Sequence, residues 1–165
     1  MATQTLVDVQ TTNYLNEKTG LASWFFTTDH KRIGLLYVFS ITFFFFFGGL
    51  FALLMRIHLL TPRGLILGDE TYNKLFTMHG IIMVWFFLIP SIPNTLGNFV
   101  LPMMIGAKDL AFPKLNLLSW YIFMLGGSVT LYAITRGGVD TGWTFYTPFS
   151  TLYSTTYVIE RRWEF

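Results

Sequence analysis

Residues 75–107 read LFTMHGIIMVWFFLIPSIPNTLGNFVLPMMIGA, and no charged side chain interrupts them between Lys74 and Lys108. A bilayer core takes roughly 20 apolar residues per helix, so this run of about 33 crosses it with residues to spare. As a straight helix it would reach roughly 50 Å at about 1.5 Å per residue, more than one span needs. Pro90, Pro93, Gly97 and Pro102 accommodate the excess, and they predict a helix that kinks or breaks near its far end. Two shorter runs repeat the pattern, about 23 residues between Arg32 and Arg56 and about 21 between Lys114 and Arg136. The predicted fold class is all-α, a polytopic transmembrane helix bundle with three spans in this chain.

Composition supports this class and excludes others. Charged residues make up 12% of the chain, against roughly a quarter in soluble domains. The net charge of +2 is too small to argue for a nucleic-acid partner. The sequence has no cysteine. A disulfide, an iron–sulfur cluster or a thiolate-ligated copper within it is therefore excluded, and iron or copper would have to use histidine, methionine or carboxylate.

Residues 1–28 form a polar N-terminal extension, read as partly disordered. It lacks the basic start and apolar core of a signal peptide, so the first span is expected to be retained. Asp29-His30-Lys31-Arg32 makes a charged collar at the head of the first helix, where Lys31 and Arg32 are placed to snorkel to headgroups. That helix is predicted to run to about Met55 and to end at Arg56. Breakers at Pro62, Gly64 and Gly68 follow, and Asp69-Glu70-Thr71 is positioned to cap the second helix. A third helix is predicted over about Leu115 to Ile134, with Gly126-Gly127-Ser128 for close packing. Phe43 to Phe47 reads as a lipid-facing or packing surface. Lys18, Lys31, Arg32, Lys108 and Lys114 fall on one side of the three spans. Arg56, Arg63, Lys74 and Arg136 fall on the other, which mildly favours a cytoplasmic N-terminus.

His79 is the residue that asks for a function. A polar side chain is costly inside a span and usually faces an interior site. Three roles stay open: an axial haem ligand, a proton relay, or an interhelical hydrogen bond. Tyr72 precedes His79 by two helical turns, so both share a face about 10 Å apart along the axis. Arg56 reads most simply as a headgroup anchor, and Trp143 as an interfacial residue. Asp109 beside Lys108 is either a solvated ion pair or, with Asn98 and Asn116, the mouth of a polar path. Asn94 and Asn98 share a face if helix continues through them. His30 and His58 sit at helix ends, where exposed histidine is common.

Together, TTDHKRIGLLY, GDETYNKLFTMHGIIM, GNFVLPMMIGAKDLAFPKLN and DTGWTFYTP, in this order and at these distances, resemble the N-terminal part of subunit I of cytochrome c oxidase. That is the catalytic subunit of the haem–copper oxygen reductases. The resemblance covers about residues 23 to 158. It implies domain limits of 29–158 for the subunit I part and 159–165 for a divergent charged tail, IERRWEF from Ile159 fading into a truncation or frame change. It implies that His79 ligates the low-spin haem a iron, that Arg56 contacts the haem formyl group, and that Tyr72 and Trp143 bond its propionates. It further implies that Asp109, Asn98 and Asn116 belong to a proton-uptake channel. Subunit I of the family has about twelve helices. The second axial histidine, the high-spin haem ligand and the copper ligands belong to later ones, so no catalytic residue is expected in this chain. Where many members carry a glutamate that helps bind a structural cation, this sequence has His58.

Three readings follow. In the first, the chain is a fragment of a terminal oxidase that oxidises cytochrome c, reduces O2 to water and pumps protons. Its partners are the remaining helices of subunit I, the subunit with Cys-ligated copper, cytochrome c and the lipid bilayer. The expected location is a bacterial cytoplasmic membrane rather than the mitochondrial inner membrane, and the isolated chain is expected to be inactive. In the second, quinol replaces cytochrome c as donor. In the third, the chain is a small non-catalytic membrane protein and His79 is structural.

Overall fold

In a computed structural model of the chain the described residues are 20–64 and 66–154. They hold α1 (Leu21–Phe25), α2 (His30–His58), α3 (Asp69–Ile81), α4 (Gly97–Met104) and α5 (Pro113–Thr135). There is no strand among them. Three helical runs are long and apolar enough to cross a membrane: His30–His58, Asp69–Met104 and Pro113–Thr135. The protein is an all-α, multi-pass membrane bundle. On α5, Leu118, Ile122, Leu125, Val129 and Tyr132 recur at helical spacing and are all exposed. A continuous apolar stripe of that kind suits lipid or neighbouring helices and not water.

Local chemistry sets the helix ends. Asp29 caps α2, its carboxylate accepting the Lys31 N–H at 2.9 Å while its carbonyl accepts that of Ile33 at 3.0 Å. α2 does not stop at Arg56. It continues to His58, so Arg56 and His58 lie in its last turn, where cations complement the helix dipole. Asp69 and Glu70 fall inside the first turn of α3 instead of capping it. The N-cap is Gly68, which makes no side-chain bond. Pro113 opens α5, the position where its missing N–H costs nothing. Gly137 and Gly138, at φ of 109° and 72°, close it with bonds to the carbonyls of Ile134 and Ala133.

The long second run neither breaks nor stays regular. Wide π-helical turns cover Ile82–Leu88 and Ser91–Leu96, around Pro90 and Pro93. A proline removes an N–H and crowds the carbonyl four residues back, and π turns re-satisfy the freed backbone without ending the helix.

The chain groups into two compact units, residues 1–39 with 91–122 and residues 40–90 with 123–165. In the first, Ile33 and Tyr37 are fully buried and Gly34 lets Phe99 approach. Here the end of the polar extension is folded: the Phe25 and Trp120 rings lie 5.8 Å apart, and Tyr121 donates to the Phe25 carbonyl. Arg32 is only 4% exposed, donating to Ser23 Oγ at 3.3 Å with its guanidinium 5.1 Å from the Trp24 ring. It does not snorkel.

In the second unit Phe44, Phe51, Met78 and Ile82 form the core. Phe44 (1% exposed) packs against Phe86 and Phe123 at ring separations of 4.9 and 5.7 Å, whereas Phe43, Phe45 and Phe46 remain exposed. The phenylalanine run thus combines one packing residue with an outward surface. A methyl group on Gly127 would lie 2.1 Å from the Phe44 ring. Gly127→Ala is expected to destabilise the bundle by about 1–3 kcal/mol through overpacking. Thermal unfolding in detergent checks this, with Gly126→Ala, whose methyl would meet Phe86 at an ordinary 3.9 Å, as the mild control.

Candidate functional site

The second unit builds a site around His79. Nδ1 of His79 lies 2.8 Å from the Gly48 carbonyl on α2. A carbonyl only accepts, so Nδ1 carries the proton of the neutral ring and Nε2 keeps its lone pair. This is how proteins orient a metal-ligating imidazole: one nitrogen anchored on an acceptor, the other left to coordinate. Among the described residues no three His, Asp or Glu side chains converge as an ion site. A single imidazole anchored in this way suits an axial position on haem iron.

The loop after α5 is laid on α3 next to His79. A methyl on Gly80 would lie 2.9 Å from the Trp143 side chain, so Gly80 is where the indole packs. Thr77 Oγ1 accepts the Gly142 N–H at 2.8 Å, and Gly138 approaches Lys74. Lys74, Thr77 and Gly80 recur every three residues, which makes one stripe of α3 the seat of this loop. Buried Asp140 accepts from Ser154 Oγ at 2.6 Å within the same segment.

Tyr72 stands two turns before His79, its ring 5.5 Å from that of His58. Arg56 is exposed, and no hydrogen bond or ion pair holds it among the described residues. His58 is not a free helix-end histidine. Its Nδ1 accepts the Leu67 N–H at 3.1 Å, and its ring fills the space beside Gly64. That bond leaves the proton on Nε2, so His58 turns a donor outward. Hard cations take oxygen ligands, and this imidazole, where many members of the family carry a glutamate, offers none.

The first unit builds a different site. A cleft of about 710 Å3 is lined by Ser23, Thr27, Thr28, Asp29, His30, Lys31, Arg32, Lys108 and Asp109, with Phe26. His30 Nδ1 donates to the Asp109 carboxylate at 2.8 Å, and a second carboxylate oxygen, on Asp29, lies 3.8 Å away. Asp109 thus pairs with His30, not with the adjacent Lys108. Asn98, 3% exposed, accepts from Asn116 Nδ2 and donates to the Asn94 carbonyl, both at 2.5 Å. The bond to Asn94 is to its backbone, one turn back on the same helical run. Ser119 Oγ donates to the Asn116 carbonyl at 2.6 Å, so the Tyr37 hydroxyl, 2.8 Å from Ser119 Oγ, is the donor of that pair. Composition and spacing did not single out Tyr37, Ser119 or Thr77. Ser119 follows Asn116 by three residues, a helical-face signal that was available.

The family profile described as Cytochrome C and Quinol oxidase polypeptide I matches residues 32–163. The chain belongs to this family. It is 46% identical over 126 residues to "Cytochrome c oxidase subunit 1" of Corynebacterium efficiens, covering 75% of this chain and 22% of that protein. It is 49% identical over 126 residues to "Probable cytochrome c oxidase subunit 1-beta" of Nocardia farcinica, again 75% of this chain and 21% of that protein. With "Cytochrome c oxidase subunit 1" of Thermostichus vulcanus it shares 40% over 131 residues, 79% of this chain and 24% of the other. The chain thus spans about a fifth to a quarter of the length of these oxidase subunits.

Proposed function

We propose that this chain is the N-terminal part of the catalytic subunit of a proton-pumping terminal oxidase in a bacterial cytoplasmic membrane. The observation that carries the reading is the His79 ring, anchored through Nδ1 on the Gly48 carbonyl with Nε2 left to coordinate, within a membrane span of an oxidase-family chain. His79 Nε2 would hold the low-spin haem a iron. Arg56, Tyr72 and Trp143 would serve its formyl and propionate groups. A low-spin haem with both axial positions filled passes electrons without binding oxygen. The second axial ligand, the high-spin haem and the copper are supplied outside these residues, with remaining helices of subunit I and a Cys-ligated copper subunit as partners.

On the other side of the chemistry, Asp109 is the proton acceptor at the mouth of the uptake path. The cleft around it exposes the Asp109 carboxylate, which is paired with the buried His30 imidazole. Asn98 and Asn116 fix an acceptor and donor pattern for path waters, and Ser119 and Tyr37 extend it with hydroxyl groups.

Cytochrome c is favoured over quinol as donor by the kinship to the cytochrome c oxidase subunits above. Membranes holding the assembled oxidase are expected to take up O2 with reduced cytochrome c, while the isolated chain takes up none. Uptake with quinol alone would move the protein to the quinol branch. Uptake by the isolated chain would contradict the assignment of catalysis to other helices.

A further inference from the structure

We propose that Thr77 is a positioning residue, whose hydroxyl holds the Gly142–Trp143 turn on the helix that carries His79 and thereby sets the place of the indole beside the haem. The proposal rests on the reading of His79 as axial ligand and extends it to a residue two positions earlier.

Thr77 is fully buried. Its hydroxyl donates to the Asn73 carbonyl one turn back at 2.9 Å, the usual way a helical threonine spends its proton. The oxygen's lone pair is then turned outward and accepts the Gly142 N–H at 2.8 Å. Gly142 sits at φ 79°, a conformation that side-chain-bearing residues rarely adopt, so its amide points where no helix or strand can satisfy it. The next residue is Trp143, packed on Gly80, and Gly80 directly follows His79. One hydroxyl therefore fixes the register of the loop on α3. Removing it leaves a partly buried N–H without this partner and frees the turn that carries the indole. A valine keeps the shape of threonine and deletes both bonds, whereas a serine keeps both bonds and loses only a methyl group.

The test compares wild type, Thr77→Val and Thr77→Ser in the assembled oxidase by two readouts. One is hydrogen–deuterium exchange at the Gly142 amide, and the other is the midpoint potential of the low-spin haem. In Thr77→Val the amide is expected to exchange about 10- to 100-fold faster and the potential to move beyond the scatter of wild-type preparations, with haem retained. Thr77→Ser restores both. An equally protected Gly142 in Thr77→Val overturns the clamp. A freed amide with an unmoved potential overturns its link to the haem. Absence of low-spin haem from wild type counts against His79, and the exchange comparison still decides the clamp. Should Thr77→Val fail to assemble, Thr77→Ala takes its place in the same comparison with Thr77→Ser.

Discussion

His79→Ala in the assembled oxidase is expected to cut low-spin haem content at least about tenfold. Losing even an outer-shell partner of a metal ligand typically costs 10- to 100-fold in affinity, and here the ligand itself is removed. The substitution also deletes the bond to the Gly48 carbonyl, which keeps its place in the α2 backbone ladder, so the larger loss is that of the ligand. His58→Ala separates these effects. His58 closes the loop after α2 through Leu67 and has no coordinating nitrogen to offer, so its loss should loosen that loop and leave the haem in place. Reduced-minus-oxidised spectra of the two variants check the contrast. Equal haem in wild type and His79→Ala would return His79 to a structural hydrogen-bonding role.

The second large effect is expected at Asp109. Asp109→Asn keeps an oxygen that can accept from His30 Nδ1, so the cleft should survive, but the group can no longer take up and release a proton. Positioned acid–base groups contribute about 100- to 10,000-fold, and O2 consumption coupled to proton uptake should fall by the lower end of that range, about 100-fold. Asp109→Glu retains a titratable carboxylate and should keep most of the turnover. Oxygen electrode rates together with a pH-indicating dye measure both. Unchanged proton uptake in Asp109→Asn would place the entrance elsewhere.

The three spans were legible because the bilayer imposes a length on each apolar run, and charge gaps record it locally. Helix ends were less so. Arg56 reads as a terminator, yet the breakers that stop α2 are farther on, at Pro62 and Gly64, and the basic residue belongs inside the last turn. Pro90 and Pro93 announce an irregularity, but whether backbone bonds are recovered by a break or by π turns depends on the packed neighbours. The apolar cluster LASWFF at 21–26 was hidden in a polar extension, although it forms a helix whose Phe25 meets Trp120.

For the sites, the residue types were visible and their partners were not. His79, Asp109, Asn98 and Asn116 stand out as polar groups in or near apolar runs. That Asn98 bonds Asn116, 18 residues on, and that Thr77 bonds Gly142, 65 residues on, follows from packing that no local pattern encodes. Threonine in a helix is ordinary, and only the approach of a left-handed glycine makes this one a clamp.

The most direct measurement is an experimental density map of the assembled oxidase around His79. Iron should lie at bonding distance from Nε2, with Nδ1 still donating to the Gly48 carbonyl. Iron held by another side chain, or Nε2 engaged in a hydrogen bond to a neighbouring helix, would contradict the assignment of His79 as the axial ligand.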